Sequence, residues 1–124
     1  MTENHHEELI KGVAREQKIL LDNSPQAIYI YFDDTHKVCN KKFAALLGYK
    51  SPAEWAKMDA PLADVVEKDQ PKVIDAYGKA SDKLIAGKIA ISLKNIKTGK
   101  IIKTDLLMVP IIFDDHVFVM HFFQ

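Results

Sequence analysis

Apolar residues recur along this chain in helical steps near its start and middle, and in strand-like runs elsewhere. Ile10, Val13, Gln17, Leu20 and Leu21 fall on roughly one helical face, with Gln17 interrupting it, and predict an amphipathic helix over 7–22. Asp22-Asn-Ser-Pro25 ends that helix, because the residue before proline is pushed out of the α region. Residues 27–32 are apolar on both faces, Ile28, Ile30 and Phe32 alternating against Tyr29 and Tyr31, and predict a strand covered on both sides. Asp33-Asp34 turns the chain into a short strand around 37–39.

Two short helices follow. Asn40 is a good N-cap, Phe43, Leu46 and Leu47 share one face, and Gly48 supplies the left-handed residue that stops the helix. Ser51-Pro52-Ala53-Glu54 is a capping box with proline in the first helical position. After an irregular connector over 58–67 with one helical turn at most, a long helix opens at Asp69 and closes near Gly87, with Val73, Tyr77, Ala80 and Leu84 inward. Strands over 88–96 and 100–111 are joined through Thr98-Gly99, and a last strand over 117–123 is again apolar on both faces. The order after the first helix is β-β-α-α-α-β-β-β, with no internal repeat or low-complexity tract.

Length and charge narrow the function classes. At 124 residues the chain makes one domain with a single core. Its 17 basic residues balance 17 acidic ones, which argues against nucleic acid and anionic membranes as partners. No apolar run has the length of a membrane span, and the acidic, histidine-containing start is not a signal peptide. One cysteine, Cys39, excludes an internal disulfide and fits a reducing compartment, so a cytoplasmic domain is expected.

The strand, then Asn40-x-x-Phe43-x-x-Leu46-Leu47-Gly48-Tyr49, then Ser51-Pro52-x-Glu54, resembles a PAS domain, the small sensory module of signalling proteins. Asp69 at a helix start, the Thr98-Gly99 hairpin and Pro110 late in a strand extend the resemblance from about Leu20 to the C-terminus. It implies an α+β fold: a five-stranded antiparallel sheet of order 2-1-5-4-3 with helices on one face. Residues 1–22 would be a cap helix and 23–124 the domain itself. It also implies a signal-transduction role without catalysis, through a small ligand in the core, a homodimer, or a signalling-protein partner.

Strand phase matched to the family turns Ile28, Ile30, Phe32, Thr104, Leu106, Met108, Phe118, Met120 and Phe122 into the central pocket, facing Phe43, Leu47, Val73 and Tyr77 from the helices. That lining suits a small apolar ligand held by the polar handles of Thr104 and Tyr77; filling of the space by the same side chains is the competing reading. Over 88–96, alternation turns Ile89, Ile91 and Leu93 inward, whereas counting back from the hairpin glycine favours Ala90, Ser92 and Lys94; both stay open.

The same phase leaves Tyr29, Tyr31, Val117, Val119, His121 and Phe123 on the outer face, where they need cover from the first helix or from a second copy. With Ile10, Val13, Gln17 and Leu20 they form the expected dimer interface.

Residue types speak against the better-known cofactors of such sensors. Residues 69–87 hold no histidine for a haem iron. Where a flavin photosensor carries a reactive cysteine motif the chain reads Leu62-Ala-Asp-Val-Val-Glu67, and Cys39 is misplaced at a strand end. Asp33-Asp34-Thr35-His36 and Asp114-Asp115-His116 are brought to one end of the sheet by the family's strand order, but aspartate is also a favoured turn residue, and no metal site is assigned. No nucleophile elbow or phosphate-binding glycine loop occurs. The strongest enzyme alternative is a small cone-shaped α+β isomerase or hydratase, with Asp105 or His121 as its acid–base group; the strand phase points both outward. A ligand-free interaction module is the remaining alternative.

Overall fold

Asn40 shows how local sequence and sheet are joined. Its Oδ1 accepts from the Phe43 N–H at 3.0 Å, capping a helix, and from the Ile28 N–H at 3.1 Å, while its Nδ2 donates to the Gln26 carbonyl at 2.9 Å. One side chain therefore fixes the start of α3 (Lys41–Leu47) against β1 (Ala27–Asp33).

The computed structural model describes every residue except Met1, Asp34, Thr35, Asp59 and Ala60, and side chains from Glu7 onward apart from Pro61. Before β1 lie α1 (Thr2–Glu16) and α2 (Lys18–Asn23); β2 (His36–Cys39) precedes α3 and α4 (Pro52–Ala56); α5 (Gln70–Lys83) precedes β3 (Gly87–Lys94), β4 (Ile101–Phe113) and β5 (His116–Phe123). The antiparallel sheet has the order β2-β1-β5-β4-β3. Two 3₁₀ turns, Pro61–Asp64 and Glu67–Asp69, fill the connector expected to hold one.

Gly48 ends α3 at a φ of 86°, and a Cβ there would sit 2.6 Å from the Asn95 side chain. Only glycine serves both the left-handed turn and this close approach. Ser51 accepts from the Glu54 N–H at 3.1 Å and Glu54 reaches back to the Lys50 N–H at 3.0 Å, so the second helix starts as its sequence predicts, with the return bond one residue early.

Two helical expectations are corrected. The helix over 7–22 breaks at Gln17, and beyond the break Leu21 is buried while Ile19 is 77% and Leu20 38% exposed. The polar interruption of the stripe marks the place where the helix is interrupted. The long helix opens as expected at Asp69, which stands at the N-cap position of α5 without a side-chain capping bond. Its carboxylate accepts from the Ser92 N–H at 2.8 Å on the edge of β3 and pairs with Lys72 at 3.3 Å. The long helix stops at Lys83 because Leu84 takes a left-handed φ of 58°, and the Ile85 N–H closes on the Lys79 carbonyl at 3.0 Å. Leu84 is consequently half exposed rather than in the core.

The largest correction concerns strand phase. Tyr29 pairs with His121 and Tyr31 with Val119 between β1 and β5, while Met108 pairs with His121 and Leu106 with Phe123 between β4 and β5. Tyr29, Val119 and Phe123 pack with Phe43, Leu47, Trp55, Val73, Leu106 and Met108 on the side of α3, α4 and α5. Ile28, Ile30, Phe32, Phe118 and Met120, with Phe122 half-buried beside them, lie on the opposite side under Leu9, Ile10 and Val13 of α1. Because side chains alternate with a period of two, one reversed assignment moves a whole strand set to the other layer. In β3, Ile89, Ile91 and Leu93 face the helices, which decides the phase left open.

Candidate functional site

The helix side of the sheet is built around aromatic rings. Tyr29 lies 4.0 Å from the His121 ring centre in a near-parallel stack, 5.1 Å from Phe43, 5.0 Å from Trp55 and 5.7 Å from Phe123. Tyr77 of α5 lies 6.3 Å beyond His121, also near-parallel, and meets Tyr31 edge to face at 5.5 Å. The rings therefore run from the fully enclosed Phe43 and Trp55 to the half-buried Tyr31 and Tyr77.

His121 is 1% exposed. Its Nδ1 lies 3.1 Å from the Val119 carbonyl oxygen, which only accepts, so Nδ1 carries the proton and donates. Burial depresses its pKa to about 3, the Val119 bond opposing, and the ring is neutral at physiological pH. Desolvation pushes the Tyr29 hydroxyl far up, with Asp64, Tyr77 and Tyr31 adding to the effect. Cys39 is likewise raised to about 12 by burial, which keeps it an inert thiol.

A second group of polar side chains closes the end of the core near α4. Asp64 accepts from the Tyr49 hydroxyl at 2.9 Å and from Trp55 Nε1 at 3.1 Å. Lys37, 4% exposed, donates from Nζ to the carbonyls of Ala56 (3.2 Å) and Met58, and lies 4.9 Å from the Trp55 ring centre. Burial raises the Asp64 pKa; the bonds from Tyr49 and Trp55 and the charge of Lys37 oppose it. Sequence reasoning passed over Lys37, Tyr49, Trp55 and Asp64. Available signals were Lys37 on the same strand face as Cys39 and a lone Asp64 among Leu62, Val65 and Val66.

Of the residues expected to line a pocket, Phe43, Leu47, Val73, Leu106 and Met108 come together in the helix-side core, and Tyr77 packs against it. Thr104 has the same strand phase, but its Oγ1 donates to the Gln124 carbonyl at 2.8 Å, at the end of the sheet. The expected lining from β1 and β5, namely Ile28, Ile30, Phe32, Phe118, Met120 and Phe122, belongs to the α1 layer instead.

The expected dimer set divides in the same way. Tyr29, Val119, His121 and Phe123 are buried inside the protomer, and Tyr31 packs half-buried against the helix-side core. Ile10 and Val13 are buried against their own sheet, Gln17 is half-buried at the helix break, and Leu20 and Val117 are exposed. The single-residue phase reversal accounts for this, since β1 and β5 are apolar on both faces and alternation carries no direction there.

Both turns considered for metal lie at one end of the sheet, where Phe113 pairs with His116 and Asp33 with His36. Asp34 and Thr35 lie outside the described residues. Asp33 contacts its own neighbour, with Oδ1 3.0 Å from His36 Nδ1, and Asp114 and Asp115 take φ of 51° and 64° in the two-residue loop. Among the described residues no three of His, Cys, Asp and Glu gather to hold a metal ion. No helix of the described residues is long and apolar enough to cross a membrane. His121, one acid–base candidate, faces the core rather than outward; among the described residues no carboxylate hydrogen-bonds to it.

The sheet order, the three helices on one face and the Asn40 junction together define the PAS fold. The chain has that fold. It superposes on the PAS domain of an HTR-like protein from Haloarcula marismortui with a TM-score of 0.63 and 14% identity, covering 98% of both chains. A PAS domain from Colwellia psychrerythraea gives 0.68 with 17% identity over 90% of this chain and 95% of that one. The PAS domain of the fruit-fly ELK potassium channel gives 0.65 with 17% identity, covering 89% and 94%. No family model matches the sequence, and no curated protein matches it.

Proposed function

We propose that this chain is a non-enzymatic, PAS-type signal-transduction module in which a small ligand engages the aromatic side of the core and β1 and β5 pass the change to α1. The carrying observation is that these two strands are buried on both faces: Ile28 packs in the α1 layer and Tyr29, its neighbour, in the ring cluster. Close-packed layers transmit displacement, so a ring moved on one side shifts the backbone beneath the helix on the other.

The ligand contacts fall to Tyr31 and Tyr77, where ring packing is least enclosed and a hydroxyl accompanies each apolar ring. A ligand with an apolar body and one hydrogen-bonding group suits that lining. Output passes to a signalling-protein partner in the cytoplasm. The competing reading, a ligand-free interaction module, is favoured by the mutual packing of Tyr29, Phe43, Trp55, His121 and Phe123 at centroid distances of 4.0–5.7 Å. Homodimerisation is assigned to the exposed Ile19 and Leu20 of α2 in place of the outer sheet.

Mass spectrometry of freshly purified protein, native and then denatured, tests the ligand. A mass increment that disappears on denaturation and is lost in Tyr77→Ala is expected. A bare chain that no compound of a small-molecule library stabilises against heat supports the ligand-free module. The native mass reports the dimer in the same experiment, and a monomer at high micromolar concentration removes it.

A further inference from the structure

The face of the sheet that carries α1 is covered on one half only. On β3 that face presents Lys88, Ala90, Ser92 and Lys94, with Ala90 paired to Asp105 and Ser92 to Lys103 of β4. Ala90 and Ser92, the small residues, floor an open groove of about 370 Å³, along which stand Lys68, Lys72 and Lys103, with Asp105 and Gln124 at one end. Lys68 and Lys103 are exposed, and among the described residues neither has a carboxylate within ion-pair distance. Asp69 is turned under the β3 edge by the Ser92 N–H, and Lys72 bridges it and the Ala90 carbonyl at 3.0 Å. In a chain with no net charge, the groove thus holds three lysines against two aspartates, of which Asp69 is buried and paired with Lys72.

We infer that this uncovered half of the sheet is a docking surface for an acidic segment of a partner protein. Charge complementarity names the partner: carboxylates opposite Lys68 and Lys103, the two lysines without an ion pair among the described residues, and a hydrogen-bond donor opposite Asp105. Ala90 and Ser92 keep the floor low enough for a polypeptide backbone to approach, with Ile91 and Thr104 completing the lining from the β3 and β4 residues beside them. Nucleic acid fits less well. The chain's one arginine, Arg15, is on α1, so the groove has no guanidinium fork for phosphate, and no aromatic ring lines it to stack a base. The proposal stands apart from the ligand reading, since none of these residues belongs to the ring cluster.

The test titrates the full chain, labelled with nitrogen-15, with a peptide of about twelve residues alternating glutamate and alanine, at low salt and then at about 0.3 M, where surface charge is screened within a few ångströms. The expected result is amide shifts at Ala90, Ser92, Lys103 and Gln124, and binding weakened at least about tenfold by the added salt. The double variant Lys68→Glu, Lys103→Glu should weaken binding by at least about as much, with its melting temperature kept because both side chains are exposed. Lys11→Glu with Lys42→Glu, equal in charge but remote, should leave binding unchanged. Absent shifts, shifts spread over other lysines, or equal losses in both double variants would overturn the proposal. So would an oligothymidylate of equal charge binding the same amides more tightly.

Discussion

The two halves of the sheet's α1-bearing face carry opposite chemistry. Under α1, Ile28, Ile30, Phe118 and Met120 are buried; on β3, two strands away, the same face shows Lys88, Ala90 and Lys94 to solvent. β1 and β5 are therefore core strands on both sides, whereas β3 is a core strand on one side only. Its edge is also partly covered: the Val66 N–H bonds the Ser92 carbonyl at 3.0 Å and Asp69 takes the Ser92 N–H, which blunts an edge otherwise open to strand addition. The difference teaches that alternation reports a layer only where one face is wet. On β3 it favoured the observed face, though counting back from the hairpin glycine opposed it and left the phase open; on β1 and β5 it had no purchase.

The sharpest break is expected from the central pair of layers. Phe43→Ala removes a buried ring from between Tyr29, Trp55 and Phe123 and should cost about 3–5 kcal/mol in chemical denaturation. Val13→Asp acts on the other layer, where Val13 is buried against the sheet, and should remove about 1.5–3 kcal/mol of α1 docking. Amide exchange in α1 should then rise while the helix-side core stays protected. A global loss in both variants would mean that the layers are one cooperative unit.

Much of the fold was legible in local chemistry. Asn40, Gly48, the Ser51-Pro52-Ala53-Glu54 box and the Gly99 turn each fix an element end within a few residues, and their order carried the family resemblance that implied the sheet order. The site was less legible because it depends on which face of an all-apolar strand meets which layer, a long-range choice. α1 meets Ile28, Ile30 and Met120, leaving Tyr29 and His121 to the helix side. The bond network of Lys37, Tyr49, Trp55 and Asp64 was hidden for the same reason: its partners come from four separate segments. Gln17 was visible as an interruption, but a single polar residue on a stripe does not by itself say that a helix breaks.

His121 offers a titration of the same comparison. An unfolded histidine takes up its proton near pH 6.5, while the buried ring resists protonation until about pH 3. The unfolded state thus binds more protons in that window, and the contribution, present above pH 6.5, is lost as pH falls toward 3. His121→Phe, which keeps the ring stack, should flatten the denaturation free energy against pH by up to about 1.4 kcal/mol per unit between these limits. An unchanged slope would place His121 in contact with water and remove the enclosed core around Tyr29.

Asn40→Ala combines two losses. Lost capping alone costs about 1 kcal/mol. The Ile28 N–H and Gln26 carbonyl would also lose their side-chain partner, and an unsatisfied buried group adds about 1–3 kcal/mol. A loss of only the capping value would show that water replaces those bonds and that β1 is less closed at this end than its neighbours.

Lys94→Ala should have the smallest effect. Lys94 is exposed at the end of β3, on the half of the sheet that α1 leaves uncovered, and among the described residues it forms no ion pair. A substitution of this kind shifts stability by no more than about 0.5 kcal/mol. Its value lies in the contrast with Val13→Asp: both residues occupy the same face of the same sheet, yet only one is packed. If Lys94→Ala destabilises as much as the α1 substitution, something covers the β3 half as well, and the division of this face into a dry half and a wet half fails.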